Sequence, residues 1–280
     1  MNYLFIIDPT NSLVLYKDTT VILMKECLRQ NINIFYSTID AISIDSKMNI
    51  EVEHHKIKSI NESITSNNMT KSNIQYFNKI FIRKDPPFDT SYLNLTYILD
   101  HLKSNDIKIF NNPSSIRSHN EKLSILQFND LITPSLVTSS FSAIKEFISK
   151  YKKVILKPLD GMAGNGIFMV TNKDKNLNAI LETMINDSHH LIMAQKFIPE
   201  ITQGDKRILL IDGVPIPYAL ARLPAKGENR GNIAAGATTR GQPLNEREYW
   251  ICEQIGPALR ERGLIFVGID VIGDYLTEIN

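Results

Sequence analysis

The 280-residue chain is poor in several features that define common protein classes. Its two cysteines, Cys27 and Cys252, are far apart and form no CxxC pair, which fits a reducing compartment such as the cytoplasm better than a disulfide framework. No apolar run approaches the ~18 residues of a transmembrane helix, and the N-terminal segment lacks the pattern of a signal peptide. The formal net charge is +1, so no basic field indicates a nucleic-acid or membrane partner.

Signatures of several enzyme classes are also missing. The histidines show no metal-ligand spacing, and the adjacent pairs at 54–55 and 189–190 would point apart on a strand, so we interpret all six as surface or structural residues. No Ser-His-Asp or Cys-His arrangement stands out. The glycine-rich segment 157–166 is not followed by Gly-Lys-Ser/Thr, so it is not a Walker A loop. A strand pattern follows it where a dinucleotide fingerprint needs a helix.

The first part of the chain has the patterning of an α/β domain. Apolar residues make up 43% and charged residues 22%, as in ordinary globular proteins. Alternating strand and helix patterns predict a parallel sheet covered by helices. We expect strands at 3–7, 32–36, 79–83 and 107–110 and helices at 19–30 and 92–102. The polar segment 44–78 predicts β-hairpin strands and a variable loop.

From about residue 120 the predicted strands are joined by tight turns as well as helices, which favours antiparallel sheets. We expect helices at 121–128, 141–151, 177–185 and 246–262, and a long polar loop at 224–243. The expected strands lie at 135–139, 154–158, 166–170, 191–195, 206–211 and 217–222, before two more at the end of the chain.

The end of the chain predicts a β-hairpin. Two apolar runs, Phe266–Ile272 and Tyr275–Ile279, flank a two-residue turn that contains glycine. Glu278 and Asn280 then share a face, and Asp270 lies nearly opposite Glu278. Three oxygen donors, two of them anionic, would converge there, as a hard cation such as Mg²⁺ requires. The alternative is an edge hairpin with a polar, solvated face, and these residues alone leave both interpretations open.

Two lysines and a glycine-rich turn suggest a phosphate site. Lys157 ends a predicted strand at the mouth of a turn that runs to Gly166, and the backbone N–H groups of such a turn can point at anionic oxygens. The alternative is a flexible hairpin loop. Lys122 opens the second unit, and a lysine ammonium suits phosphate oxygens, although either lysine alone is typical of a solvated side chain.

Arginines occur at predicted strand ends and in two loops. Arg222 follows an apolar stretch, where a charge needs a partner. The loop 227–236 is rich in small residues and holds Arg230 and Asn232, which is typical of an anion-binding lid or, alternatively, of a disordered loop. Arg83 starts a proline-rich loop at the C-terminal end of a strand, where open α/β sheets bind ligands. A rigid connector is the alternative there.

Taken together, these stretches resemble the ATP-grasp superfamily, and specifically the bacterial glutathione synthetase family. The matching segments occur in family order and run nearly from end to end, so the ordered set is highly specific although each segment alone is weak. They are Arg83–Thr90, Asn120–Lys122, Leu156–Met162, Met193–Gln195, Gly204–Arg207, Arg230–Gly236, Gly263–Gly268 and Leu276–Asn280.

The resemblance implies an α/β (α+β) fold in three parts. Residues 1–119 would form a parallel-sheet, Rossmann-like pre-ATP-grasp domain. A two-lobed ATP-grasp domain with antiparallel sheets would follow, as a lid subdomain at 120–195 and a C-terminal subdomain at 196–280. The chain departs from the family at Ala163, where a second glycine is usual, and after Gly236, where Gly-Arg is usual. It also lacks the family's closing helix, so we expect a truncated form.

The resemblance implies a reaction and its partners. ATP would phosphorylate the carboxylate of γ-glutamylcysteine, and glycine would attack the acyl phosphate to give glutathione, ADP and phosphate, with Mg²⁺ or Mn²⁺ as metal. Relatives suggest a cytoplasmic homo-tetramer without nucleic-acid or membrane partners. The alternatives are another ATP-grasp carboxylate–amine ligase, which the match of the 83–89 loop disfavours, or a nucleotide-binding protein that is inactive in this truncated form.

By motif match, each part of the site has candidate residues. The metal ligands would be Asp270, Glu278 and Asn280. The catalytic residues would be Lys157, Arg207 and Arg222. The substrate-binding residues would be Arg83, Asp85, Arg222, Arg230, Asn232 and Gly236. The nucleotide would contact Lys122, Lys157, Asp160, Gly161, Met162, Gly164, Gly166, Gln195, Lys196, Phe197, Ile198, Asp205 and Arg207.

Overall fold

A computed structural model describes residues 1–102, 106–160, 164–185, 190–225 and 236–280. The chain divides into two compact units, Met1–Ser118 and His119–Asn280. Each unit encloses two hydrophobic clusters of its own. Among the described residues, no helix is long and apolar enough to cross a membrane.

The first unit is the predicted α/β domain. Its central strands β2, β1, β7 and β8 are parallel in that order, and β4 joins β2 antiparallel, so the sheet is mixed. The polar segment forms hairpin strands, as predicted. The elements are β1 (Asn2–Ile6), α1 (Thr19–Arg29), β2 (Asn33–Ser37), β3 (Ile42–Ile44), β4 (Ile50–Ile60), β5 (Ile64–Ser66), β6 (Thr70–Asn73), β7 (Lys79–Ile82), α2 (Thr90–Asp100), β8 (Lys108–Phe110) and α3 (Pro113–Ser118).

Burial on both faces explains why β1 is a continuous apolar run rather than an alternating one. Leu4 and Ile6 belong to one hydrophobic cluster, whereas Tyr3 and Phe5 belong to the other. Parallel strands covered on both faces have this pattern. The centre of the sheet is therefore covered on both faces, and its C-terminal edge carries the loop that begins at Arg83.

The second unit holds two antiparallel sheets, as predicted. Their strand orders are β11-β10-β12-β9 and β15-β14-β13-β16-β17. The elements are β9 (Ser135–Thr138), α4 (Phe141–Tyr151), β10 (Lys153–Pro158), β11 (Phe168–Thr171), α5 (Leu177–Ile185), β12 (Ile192–Lys196), β13 (Asp205–Ile211), β14 (Val214–Leu223), β15 (Thr238–Pro243), α6 (Glu246–Glu261), β16 (Phe266–Ile272) and β17 (Tyr275–Ile279).

Two local predictions were wrong. The helix expected at 121–128 is a 3₁₀ turn at Ser124–Gln127, because the segment before it is tied down elsewhere: the Ile279 N–H donates to the Glu121 carbonyl at 2.9 Å. The loop expected to reach residue 243 ends early in β15, which pairs with β14. This edge strand has mostly exposed side chains, so it lacks the hydrophobic alternation that sequence patterns detect.

His54 on β4 is a buried histidine in an aromatic setting. Its ring packs against Phe35 and Phe77 at centroid distances of 5.1 and 5.2 Å. Its Nε2 lies 3.0 Å from the Ser72 hydroxyl. Burial, with a smaller contribution from the charge of His55, lowers the pKa of His54 below its ordinary value.

We expect His54 to make the stability of the protein pH-dependent. The unfolded chain binds this proton with the ordinary pKa near 6.5, and the folded chain binds it more weakly. The stability contributed by neutral His54 is therefore complete above about pH 6.5 and is lost as the pH falls below that value toward the lowered pKa. Urea unfolding followed by circular dichroism should show a smaller loss of free energy of unfolding between about pH 6.5 and 5 in His54→Gln than in wild type. His55→Gln is the matched control. The prediction would be contradicted if the free energy of unfolding changed with pH to the same extent in His54→Gln and His55→Gln.

Candidate active site

Charged side chains form a continuous row across four strands of the second antiparallel sheet. Residues that face each other on neighbouring strands, or alternate along one strand, share a face. The cross-strand pairs are Arg222 with Asp205, Arg207 with Asp270, and Asp270 with Glu278. Asp205 and Arg207 alternate along β13. All five side chains therefore project from one face, although they come from four separate stretches of sequence.

Asp270 lies at the centre of this row and is held by two arginines. Arg207 donates Nε to Oδ1 at 2.5 Å and Nη2 to Oδ2 at 2.9 Å. The Nη2 of Arg222 lies 2.9 Å from Asp270 Oδ1 and donates to Asp205 Oδ2 at 2.6 Å. Burial opposes ionisation of Asp270, but the charges and hydrogen bonds of Arg207 and Arg222 prevail and hold its pKa at about 2.

A β-bulge brings Glu278 onto the face of Asp270. An unbroken two-residue hairpin would pair Asp270 with Thr277, and Glu278 would then point to the opposite face. The register instead shifts between Asp270 and Val271, so Glu278 lies opposite Asp270. Thr277 supports the shift by donating its hydroxyl to the Asp270 carbonyl at 3.1 Å. Bulges often redirect side chains beside functional sites in this way.

Two carboxyl groups of the row have raised pKa values. Burial raises the pKa of Asp205 to about 7, the Asp270 carboxylate adds to this, and Arg222 opposes it. Asp205 Oδ1 is buried without a hydrogen-bond partner among the described residues. Burial also raises the pKa of Glu278, although Lys157 and Lys122 oppose the rise. A cation bound beside these two carboxyl groups would favour their ionised forms.

The predicted metal ligands share one face of the terminal hairpin. Gly268 and Asn280 exchange backbone hydrogen bonds of 2.8 and 2.7 Å, so they lie directly opposite each other. Gly268 alternates with Asp270 and Asn280 with Glu278 along their strands, which places Asn280 on the face of both carboxylates. The described residues contain no group of three acidic, histidine or cysteine ligands. Two carboxylates and one amide are hard oxygen donors, and this set fits Mg²⁺.

Gly268 lets Arg207 reach Asp270. A Cβ at this position would stand 2.9 Å from Cδ and 3.0 Å from Nη1 of Arg207. Such contacts are too short, so any larger residue would displace the guanidinium. The glycine therefore has a packing role in the site, which the sequence alone does not reveal.

Two lysines approach Glu278 from outside this sheet. Lys122 is 2% exposed, pairs with the Glu121 carboxylate and lies 3.9 Å from Glu278 Oε1. Lys157 is buried on β10. Burial raises the pKa of Glu278, and the Lys157 ammonium counteracts this rise more strongly than the Lys122 ammonium does. Asn120 ties the two lysine-bearing segments together, since its Nδ2 donates to the Leu159 carbonyl at 2.9 Å. The structure thus brings both lysines close to the face that carries Asp270 and Glu278.

The glycine-rich turn after β10 is described in part. Asp160 ends the described stretch on one side, and Gly161 and Met162 lie outside the described residues. On the other side, Gly164 and Gly166 have φ angles of 78° and 69°. These angles favour glycine, which explains their presence in the turn.

Strand β12 leads into the backbone at 196–198, which is predicted to contact the nucleotide. Met193 packs in the cluster of the second sheet, whereas Ala194 packs under α4 and α5. Gln195 alternates with Ala194, so its side chain lies on the face toward the second sheet. Beyond the strand, the Phe197 N–H donates to the Lys153 carbonyl, and the Ile198 N–H has no partner among the described residues.

In the first unit, Arg83 and Asp85 lie at the C-terminal edge of the parallel sheet, as predicted. Arg83 donates to the hydroxyls of Thr20 and Thr19 in the first turn of α1, at 3.1 and 3.2 Å. The Asp85 N–H donates to Asp8 Oδ2 at 2.8 Å. Burial lowers the pKa of Arg83 and raises that of Asp85. Of the predicted lid residues, Gly236 has a φ of 86°, and Arg230 and Asn232 lie outside the described residues.

Sequence reasoning missed a buried ion pair behind the site. Lys206 points to the opposite face of β13 from Arg207, and its ammonium pairs with the fully buried Glu248 carboxylate on α6. Glu248 also closes a capping box with Asn245. The spacing Asn-x-x-Glu before an apolar run is a sequence signal that could have found this glutamate. The pair anchors the charged row to the helix behind it.

Family models match both units of the chain. The N-terminal domain of prokaryotic glutathione synthetase matches residues 1–117, and its ATP-grasp domain matches residues 121–280. Glutathione synthetase of Coxiella burnetii is 42% identical over 278 residues, which cover 98% of this chain and 86% of the relative. Glutathione synthetase of Vibrio parahaemolyticus is 43% identical over 279 residues, with 98% and 88% coverage.

Solved structures show the same fold at low identity. D-cycloserine synthetase DcsG has a TM-score of 0.69 at 11% identity, covering 99% of this chain and 91% of its own. The ATP-grasp ligase PsnB, complexed with a phosphomimetic variant of its minimal precursor, Mg and ADP, has a TM-score of 0.64 at 16% identity, with 99% and 89% coverage. Such identities show the fold alone. The family models and the curated relatives go further: this chain belongs to the prokaryotic glutathione synthetase family and is an ATP-dependent ligase of the glutathione synthase type.

Proposed function

We propose that the chain joins γ-glutamylcysteine to glycine through an acyl phosphate. The cysteinyl carboxylate attacks the γ-phosphorus of ATP, and the bond from this phosphorus to the ADP oxygen breaks. The glycine amine then attacks the acyl carbon, phosphate leaves with the bonding electrons, and the amine loses its proton as the peptide bond forms. The observation that carries the proposal is the row Arg222–Asp205 and Arg207–Asp270–Glu278, with two buried lysines beside it.

Asp270, Glu278 and Asn280 would hold Mg²⁺. When bound, the metal neutralises phosphate charge and makes the γ-phosphorus more electrophilic. The placement of charges supports this, because the Glu278 side chain is only 20% exposed and the Lys122 ammonium lies 3.9 Å from its carboxylate. Asp270 is the ligand that the arginines hold in place.

Arg207 and Arg222 would stabilise the transferred phosphoryl group. Each now donates to Asp270, and each comes from a different strand. If Asp270 ligates a cation, these guanidinium groups have donors available for phosphate oxygens, for which their planar fork is suited. The arginines then act where negative charge develops, and this is the most effective position for a fixed cation.

Lys122 and Lys157 would hold the nucleotide phosphates under the turn that contains Gly164 and Gly166. The adenine would lie along the strand edge at 196–198. In an extended strand, the Lys196 C=O and the Ile198 N–H point to the same side, and this acceptor–donor pair complements the amine and N1 of adenine. Asp205, with its second oxygen available, is proposed near the ribose.

Arg83 and Asp85 would bind the dipeptide. Arg83 lies at the N-terminus of α1, where the helix dipole also favours a carboxylate. Arg230, Asn232 and Gly236 are proposed to shield the acyl phosphate from water. We further propose a tetrameric, cytoplasmic enzyme. Two free cysteines suit a reducing compartment, and light scattering after gel filtration tests the assembly.

The full chain should release ADP only when both γ-glutamylcysteine and glycine are present. Coupled ADP detection and mass spectrometry of the product test this, with each substrate omitted in turn as the control. ADP release without glutathione, or equal turnover with unrelated carboxylates and amines, would contradict the proposed substrates.

We expect Glu278→Gln to weaken the metal site. The variant keeps the shape of the side chain but removes a charge on which a hard cation depends. The Mg²⁺ concentration for half-maximal activity should rise by at least about 10- to 100-fold, the cost of changing even an outer-shell partner of a bound metal. Asp274→Asn, in the turn of the same hairpin, is the matched control and should leave the Mg²⁺ dependence unchanged. An unchanged Mg²⁺ dependence in Glu278→Gln would remove Glu278 from the ligand set.

We expect Gly268→Ala to lower kcat by displacing Arg207. The added Cβ would stand 2.9 Å from Arg207 Cδ, and the long side chain can yield without unfolding the strand. The loss should approach the ~100-fold effect of removing one transition-state donor, with little change in melting temperature. Gly241→Ala is the control, because nothing lies within 4 Å of a Cβ there. Full activity in Gly268→Ala would show that the position of Arg207 is not needed.

A further inference from the structure

A short hydrogen-bond chain links the nucleotide strand to the strand beside it. Gln195 on β12 donates Nε2 to the Ser135 hydroxyl on β9 at 3.1 Å. Ser135 donates its own hydroxyl proton to the Thr133 carbonyl at 2.9 Å. Gln195 is 2% exposed, so its amide sits in a confined space rather than in solvent.

This chain fixes which way the Gln195 amide points. A carbonyl oxygen can only accept, so the single Ser135 proton goes to Thr133. The Ser135 oxygen must then accept from Gln195, and only the NH₂ group of the amide can donate. Gln195 Oε1 is therefore turned away from Ser135. Within the described part of the chain, no hydrogen bond reaches this oxygen.

The same segment also supports the strand edge. Thr133 is 3% exposed and donates its hydroxyl to the Lys196 carbonyl at 3.3 Å. The Lys196 N–H donates to the Pro134 carbonyl at 2.9 Å. Residues 133–135 thus hold both the backbone of Lys196 and the side chain of Gln195. A small shift in this segment would change two contacts at once.

We propose that Ser135 is a positioning residue that makes the nucleotide site select a 6-amino purine. By holding the Gln195 amide, it presents the carbonyl oxygen of the side chain as a second acceptor next to the acceptor of Lys196. This inference rests on the proposed placement of the base along 196–198.

The two acceptors match the two protons of an exocyclic amine. One amine proton would go to the Lys196 carbonyl and the other to Gln195 Oε1, and N1 of the base would accept from the Ile198 N–H. A 6-oxo purine would instead bring its carbonyl against both acceptors and its N1–H against a donor. Sites built to satisfy a substrate NH group discriminate strongly against analogues that lack it.

The experiment compares ATP with purine riboside triphosphate, which lacks only the 6-amino group, and with inosine triphosphate. Steady-state kcat and KM are measured with saturating γ-glutamylcysteine and glycine in wild type, Ser135→Ala, Ser135→Thr and Gln195→Leu, and in the double variant Ser135→Ala/Gln195→Leu. Ser135→Thr keeps the hydroxyl on a residue that suits a strand. The double variant tests whether Ser135 acts through Gln195.

We expect Ser135→Ala to reduce the preference for ATP over purine riboside triphosphate by about 3- to 10-fold, the range of one hydrogen bond. The change should appear in the KM for ATP, with kcat and the KM for the 6-desamino analogue unchanged. Ser135→Thr should restore the preference, and Ser135→Ala should have no further effect in the Gln195→Leu background.

Two results would overturn the inference. One is an unchanged preference in Ser135→Ala, and the other is an equal loss with both nucleotides, which would indicate a purely structural role. If Ser135→Ala does not fold, Gln195→Leu still tests the inference. An unchanged preference for ATP over the 6-desamino analogue in Gln195→Leu would show that the Gln195 side chain does not accept a hydrogen bond from the 6-amino group. These results differ from the one expected if the proposed function itself is wrong. In that case the wild-type enzyme would form no glutathione with any of the three nucleotides.

Discussion

The pairing of Asp270 with Arg207 and Arg222 is the interaction on which the candidate site depends. Asp270 is 3% exposed, and a buried carboxylate without partners would be neutral rather than charged. The two guanidinium groups keep it ionised, and it keeps them in position through hydrogen bonds of 2.5 to 2.9 Å. Because the partners come from three strands, the site exists only when the sheet has its correct register.

The opposite face of the same strands explains why that register is stable. Ile208 and Leu210 alternate with the site residues of β13 and pack in the cluster that contains Ile255 of α6. Lys206 adds a buried ion pair to Glu248 of that helix. A one-residue slip would expose this apolar face and bury the charges of the other, and both changes cost free energy. The packing of this core therefore fixes the strand register that brings the charged side chains together on the other face.

Much of the fold could be predicted from local patterns. The alternation of strands and helices predicted the first sheet, and turn residues predicted the antiparallel strands of the second unit. Edge strand β15 was not predicted because its side chains are mostly exposed. The 3₁₀ turn at Ser124–Gln127 was not predicted because contacts with residues distant in sequence hold the residues before it. No sequence pattern marked Ser135 or Gly268, since their contacts depend on the neighbours that folding gives them.

The sequence by itself determined the chemical groups: carboxylates at 270 and 278, arginines at 207 and 222, lysines at 122 and 157, and glycines where the backbone needs positive φ. It also determined which residues alternate toward the core, because side-chain period follows from backbone geometry. Only the tertiary structure decided how these groups meet. The bulge at Asp270 brings Glu278 onto the same face as Asp270, and strand pairing joins arginines from two strands to one carboxylate. Register is a property of paired strands and their core, so no single segment contains it.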